Sequence, residues 1–294
     1  MRQTSTVLYL AIDNLLPPHG TPNAGVEEFF EQLTRAGIPC IWLTAKTRLQ
    51  IDEPRRKLGL RDPFIAEDGC GVYLPEDYFH LRPQQARVAG AKKGGKTQDV
   101  ATVRLGRFTC LPIAKRQPAA FEALEALAAE TGVSIVALSS LPPRELAQNT
   151  GLHPREAELV RQRDFDELFF FAGASRAQIT GFQGAAENEG MQLREQGALW
   201  SLAVGASPAK CIRELAKLYD RALHAHARTI GVAYGDQPPV FFSACDRVVL
   251  LTPGDQEGLA QVVSESTPSG RVLRVPFSGP ERWPRLADLL RHDR

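Results

Sequence analysis

Asp13 follows the apolar run Val7–Ile12, and Thr44 and Lys46 end a run that begins at Ile38. Ser207–Lys210 follows a run from Leu199, and Gly235-Asp236 follows one from Thr229. In an open α/β sheet, ligands bind beyond the carboxyl ends of the strands. A carboxylate, a hydroxyl, an ammonium and a second carboxylate at four such ends therefore make one candidate ligand site. Singly, Thr44 is a turn residue and Asp236 a helix cap; their recurrence in order is what carries information. Thirty-five Lys plus Arg stand against 34 Asp plus Glu, a net charge of +1, so any recognition of an anion must be local. Nothing in that balance points to nucleic acid or an anionic membrane surface.

A competing motif is GAKKGGKT, Gly90–Thr97, which fits the phosphate-loop pattern Gly-x4-Gly-Lys-Thr. There, backbone amides would cradle phosphates and Lys96 would reach the terminal one. Such a loop needs a buried strand before it and a helix after it, yet ARVA is weak and TQDVATVRL reads as a strand. A basic loop is the better reading. Five cysteines (Cys40, Cys70, Cys110, Cys211, Cys245) are scattered without Cys-x-x-Cys spacing and read as reduced, mostly buried thiols. Among the histidines only His224-Ala-His226 is closely spaced, and it falls in a helix-to-strand linker.

The elements that would position the site follow from periodicity. Val7–Ile12 is apolar without alternation, as a parallel strand buried on both faces should be. Val26, Phe29, Phe30 and Leu33 are spaced for a helix that stops near Gly37. Ile38–Thr47 is a second strand, Gln50–Leu58 a helix, and Pro63–Leu74 a strand, a Glu67-Asp68-Gly69 turn and another strand. This alternation predicts an α/β, Rossmann-like doubly wound parallel sheet. After Pro75 the chain becomes polar, then alternates weak strands with helices, which predicts an inserted α+β cap. Residues 1–82 and 200–294 are assigned to a discontinuous core and 83–199 to the cap. The core resumes with LWSLAVG, a helix carrying Ile212, Leu215, Ala216 and Tyr219, the strand TIGVAYGD, the strands DRVVLLT and GRVLRVPF, and a closing helix after Pro284.

Five phrases carry a resemblance: LTAKTR (Leu43–Arg48), PFIAEDGCGVYLPEDYF (Pro63–Phe79), TGLHPREAELVRQRDFDELFFF (Thr150–Phe171), YGDQP (Tyr234–Pro238) and GPERW (Gly279–Trp283). They resemble the haloacid dehalogenase superfamily, and within it the mannosyl-3-phosphoglycerate phosphatase branch. The resemblance implies a capped Rossmann-like core and magnesium-assisted hydrolysis of a phosphomonoester through an aspartyl-phosphate. One aspartate attacks phosphorus and another two residues later protonates the leaving oxygen. A hydroxyl and a lysine hold the phosphoryl oxygens, and carboxylates bind the metal.

Carried over residue by residue, the pattern is damaged. Ungapped spacing to LTAKT puts Ala11 at the nucleophile and Asp13 at the acid/base; a two-residue deletion would instead make Asp13 the nucleophile and put Leu15 at the acid/base position. Thr44 keeps the hydroxyl role, with Lys46 beside it. Pro208 falls on the lysine, leaving Lys210 two residues late. Of the metal carboxylates only Asp236 remains, with Asp13, because Val240 occupies the other position. Alanine has no lone pair to attack phosphorus, and two carboxylates are few for Mg²⁺, so weak or lost magnesium binding is expected. In the cap, Arg163 either faces the core to hold a phosphate or carboxylate or pairs with Asp164 or Asp166 on a solvated surface. Glu67 and Asp68 shape either a hinge and pocket wall or a plain turn.

The resulting expectation is a phosphatase-fold protein with an impaired hydrolytic centre and a retained cleft for a phosphorylated sugar or phosphoglycerate-type metabolite, or for a protein partner. An active magnesium-dependent sugar-phosphate phosphomonoesterase using Asp13 is the alternative. No apolar run reaches the roughly 18 residues of a membrane span and the N-terminus reads as a first strand, so a cytoplasmic location without membrane attachment is expected.

Overall fold

The computed structural model describes residues 5–13, 15–16, 25–79, 88–89, 99–100, 102–197, 199–253, 261–263, 272–279 and 281–292. The chain opens with β1 (Thr6–Ala11), α1 (Val26–Arg35), β2 (Cys40–Leu43), α2 (Arg48–Lys57), β3 (Phe64–Ala66) and β4 (Gly71–Leu74). Short β5 (Val88–Ala89) and β6 (Asp99–Val100) pair with each other, and β7 (Val103–Leu105) and β8 (Phe108–Pro112) form a hairpin. Then come α3 (Gln117–Thr131), β9 (Ile135–Ala137), α4 (Pro143–Thr150), α5 (Pro154–Arg161), β10 (Glu167–Phe171), α6 (Arg176–Asn188), β11 (Met191–Gln196) and β12 (Leu199–Val204). The last part holds α7 (Pro208–Leu223), β13 (Arg228–Tyr234), β14 (Arg247–Thr252), β15 (Gln261–Val263), β16 (Val272–Pro276) and α8 (Arg282–His292).

A ten-stranded sheet runs in the order β15-β16-β14-β13-β1-β2-β3-β4-β8-β7. Its six middle strands, from β16 to β3, are parallel, and antiparallel strands extend both edges. This is the α/β architecture expected from the sequence. Along β1, Leu8 and Leu10 join the core under α1 and α8, while Val7 and Tyr9 join the core under α7. Both faces of the strand are buried, which is why its residues read as apolar without alternation. Each fully buried Leu or Phe contributes about 1.5–3 kcal/mol of hydrophobic free energy.

A second, antiparallel sheet runs β11-β12-β10-β9. One apolar cluster joins it to α3 and α6, and a separate cluster joins it to α4 and α5. Two segments sit in a different sheet from the one the sequence suggested. Val103–Leu105 and Phe108–Pro112, assigned above to the insertion, extend the large sheet through β4; the open edge of β4 needs a partner, and the hairpin supplies it. Leu199–Val204, assigned to the core, is β12, paired with β11 and β10. Its local partner decides this, because Gly197, at φ 66°, turns β11 directly back into it.

All five cysteines are free and buried. Among the described residues no helix is long and apolar enough to cross a membrane. The motif Gly90–Thr97 lies outside the described residues.

Candidate functional site at the strand ends

The registers place Ala11 opposite Leu43, so β1 and β2 end together and the next residues emerge side by side. Ile12 N donates to Leu43 O at 3.1 Å, which carries Asp13 past the sheet edge toward Thr44. The buried Thr44 donates its hydroxyl to Asp13 Oδ1 at 2.5 Å, and Ala45 N donates to Asp13 Oδ2 at 2.7 Å. Both oxygens of this exposed carboxylate are thus engaged by the turn after β2. Ala11 is the last residue of β1, and its methyl packs against the α7-side core.

The turn is fixed from behind by the segment after β3. Glu67 N donates to Lys46 O, Asp68 N to Thr44 O, and Lys46 N to the Thr44 hydroxyl. Glu67, Asp68 and Gly69 take φ values of 50°, 51° and 89° in succession. Two non-glycine residues in the left-handed region store strain, and the geometry they hold sends two carboxylates in different directions. Glu67 lies fully buried and accepts from the amides of Asp164, Phe165 and Asp166 at 2.8–3.2 Å. Those amides favour its ionised form, but burial and then the facing Asp166 outweigh them and push its pKa up to about 8. Asp68 receives Arg194 Nη1 at 3.3 Å and Gln196 Nε2 at 3.5 Å, both from β11. Burial raises its pKa to about 6; Arg194 opposes that shift, while Asp13 and Asp166 add to it.

Neither reading for Arg163 holds as stated: it pairs with Asp166, but in the interior and not on a solvated surface, and it also reaches the turn after β2. The pair is buried, with 4% and 1% of the side chains exposed, and Arg163 Nη2 donates both to Asp166 Oδ2 at 2.9 Å and to Ala45 O at 2.8 Å. Burial opposes its charge, but the facing Asp166 and Glu67 more than compensate, and its pKa is raised.

Asp13, Thr44, Lys46, Glu67, Asp68 and Arg163 are therefore joined in one network. Lys210 and Asp236 are not part of it. The Lys210 amide donates to the Ser207 hydroxyl that caps α7, and Asp236 is exposed with its carbonyl accepting from Arg274. Pro208 and Val240 line one cleft of about 410 Å³ with Arg194, Glu195 and Phe241. Val240 is 76% exposed there. Among the described residues no group of three or more His, Cys, Asp or Glu is arranged to hold a metal. With Asp13 already accepting two hydrogen bonds and valine at 240, the donor set does not fit Mg²⁺.

Sequence reasoning missed Arg194, Gln196 and the Ala45 peptide group. A hint for the first two was available: MQLREQ alternates, as a strand with one polar face does.

No family model matches the sequence. In sequence the chain is similar to the mannosyl-3-phosphoglycerate phosphatase of Pyrococcus furiosus, at 22% identity over 88% of this chain and 96% of the relative. It is also similar to the glucosyl-3-phosphoglycerate/mannosyl-3-phosphoglycerate phosphatase of Methanococcoides burtonii, at 22% identity over 78% of each. Among solved structures it resembles a phosphatase of the haloalkanoate superfamily from Bacteroides thetaiotaomicron, with TM-score 0.56 and 15% identity over 98% of this chain and 95% of that one. A haloacid dehalogenase-like hydrolase from B. subtilis superposes with TM-score 0.54 and 14% identity over 84% and 89%. The chain has the fold of the haloacid dehalogenase-like hydrolases, and its curated relatives in sequence are mannosyl-3-phosphoglycerate phosphatases.

Proposed function

We propose that this protein is a phosphatase-fold protein that has lost the covalent hydrolytic step and keeps a cleft for a phosphorylated sugar or phosphoglycerate-type metabolite. One observation carries this reading. The strand end two residues before Asp13 bears only the methyl of Ala11, and Asp13 itself occupies the Thr44 hydroxyl and Ala45 amide. Those are the donors a phosphoryl oxygen would need. An entering phosphate must displace Asp13, and the residue two places before it is an alanine, which cannot attack phosphorus. Magnesium, which such hydrolysis uses, meets a donor set that does not suit it. Residues 1–82 and 200–294 as core and 83–199 as cap remain our division of function, with the sheet exchanges described above. Five free buried thiols fit a reducing cytoplasm.

A second reading is favoured by one feature: Asp13 is an exposed carboxylate at the carboxyl edge of the sheet. Rotated away from Thr44, it could itself attack phosphorus, leaving Thr44 to hold the phosphoryl oxygen.

The test is phosphate release from a panel including mannosyl-3-phosphoglycerate and an aryl phosphate, with and without Mg²⁺. The expected result is no turnover by wild type and a trace regained in Ala11→Asp. Magnesium-dependent turnover by wild type that Asp13→Asn abolishes would establish the second reading and end the first.

A further inference from the structure

The cleft that joins Arg194 and Glu195 of β11 to Pro208, Pro238, Val240 and Phe241 contains both positions where the resemblance led us to expect a lysine and a metal carboxylate. With proline and valine there, the charge that remains in its wall comes from the cap-side strand. One guanidinium, one carboxylate and an otherwise apolar lining do not suit a metal ion, which wants several oxygen ligands. They suit an organic anion with an apolar face. The guanidinium fork matches phosphate or carboxylate oxygens, and proline and phenylalanine offer C–H surface to a ring or carbon chain. At about 410 Å³ the cleft falls in the size range of small-molecule sites.

Arg194 is already committed to an anion inside the protein. Its Nη1 meets Asp68 Oδ1 at 3.3 Å, a single long contact on a side chain 39% exposed. A bidentate anion would be the better partner. Asp68 cannot follow Arg194 outward, because its backbone sits between Glu67 and Gly69 in the left-handed region and Gly69 is pressed against Pro208. Gln196 Nε2, held by Ser201 Oγ at 3.1 Å, stands 3.5 Å from the other Asp68 oxygen.

We propose that Arg194 is the anion-recognition residue of this cleft, and that a sugar-phosphate or phosphoglycerate-type ligand binds by taking Arg194 from Asp68. This rests on the retained-cleft reading and assigns its ligand contact to β11, in place of the lysine lost at Pro208. It makes a prediction of opposite sign for the two partners of one ion pair. Removing Arg194 weakens binding, and neutralising Asp68 strengthens it.

Isothermal titration calorimetry with 3-phosphoglycerate, without Mg²⁺ and at pH 7.5, compares wild type with Arg194→Gln and Asp68→Asn. Asparagine tolerates the left-handed conformation at 68, and thermal melts check that both variants fold. The expected result is at least tenfold weaker binding by Arg194→Gln and roughly three- to tenfold tighter binding by Asp68→Asn. Equal affinity of Arg194→Gln and wild type overturns the inference, as does weaker binding by Asp68→Asn or the absence of binding in both wild type and Asp68→Asn. Binding that ignores Arg194 would leave the retained cleft standing while removing this residue from it. Phosphate release by wild type in the hydrolysis assay would count against the impaired centre alone, since calorimetric ranking of the variants does not depend on turnover.

Discussion

Arg163 and Ala45 share a hydrogen bond of 2.8 Å from Nη2 to the carbonyl oxygen, and the amide of the same Ala45 holds Asp13 at 2.7 Å. A buried cation on the segment before β10 thus fixes the turn that restrains the site carboxylate. Because Arg163 pairs with buried Asp166, its removal leaves that buried carboxylate without its charge partner. Arg163→Ala is expected to destabilise the fold by about 3 kcal/mol or more. Urea denaturation measures it, and a loss below about 1 kcal/mol would show that the pair is dispensable.

The Asp13–Thr44 contact has its own expected cost. Thr44→Val removes the hydroxyl while nearly conserving shape, and loses both the bond to the exposed Asp13 carboxylate and the one accepted from Lys46 N. A double-mutant cycle with Asp13→Ala, which isolates the pairwise bond, should give a coupling of about 1 kcal/mol. Additive effects would mean that solvent replaces the bond at no cost.

Glu67 makes stability depend on pH. In the unfolded chain its carboxyl titrates near 4.5, and in the fold burial, with Asp166 adding, pushes it up to about 8. The folded state binds more protons between those values, so stability falls as pH rises across that window. The contribution is complete below about 4.5 and gone above about 8, with a slope of at most about 1.4 kcal/mol per pH unit from one proton. Melting temperature measured from pH 5 to 8 should decline in wild type and decline less in Glu67→Gln. A parallel decline in both would place the titrating group elsewhere.

Gly69 and Gly132 separate two costs of a side chain at positive φ. A Cβ at Gly69 would collide with the backbone of Pro208, whereas one at Gly132 would meet nothing within 4 Å. Gly132→Ala should cost about 1 kcal/mol from strain alone. Gly69→Ala should exceed that by about 2 kcal/mol or more, because the start of α7 must shift. Similar melting temperatures for the two variants would contradict this.

How far the sequence could be read follows from where the determining contacts lie. The central strands were legible because both faces are buried and their runs are continuous, as Val7/Tyr9 and Leu8/Leu10 illustrate. The α7 pattern was legible because Ile212, Leu215 and Tyr219 repeat on one buried face. The sheet that owns β7–β8 or β12 was not, since membership depends on partners such as β4 and β10 rather than on local pattern. At the site, Asp13 and Thr44 could be brought together from the strand-end rule alone. The Ala45 contribution could not, because it comes from the peptide group and any residue type would supply it. Arg194 was hidden for a different reason: it acts across the interval between two sheets, with a partner 126 positions earlier.

The chain leaves the large sheet after β8 and returns just before α7, and the two crossings are tied to each other. Lys115 N donates to Val204 O, while Ile113 N and Ser207 N reach the neighbouring carbonyls of Cys70 and Gly69. Residues about ninety positions apart in sequence therefore stand on adjacent peptide units. For an engineer this is a ready splice point. A short glycine bridge from Pro112 to Ser207 would close the large sheet without its insert, and the excised piece would have its two ends side by side, suited to grafting or to circular permutation.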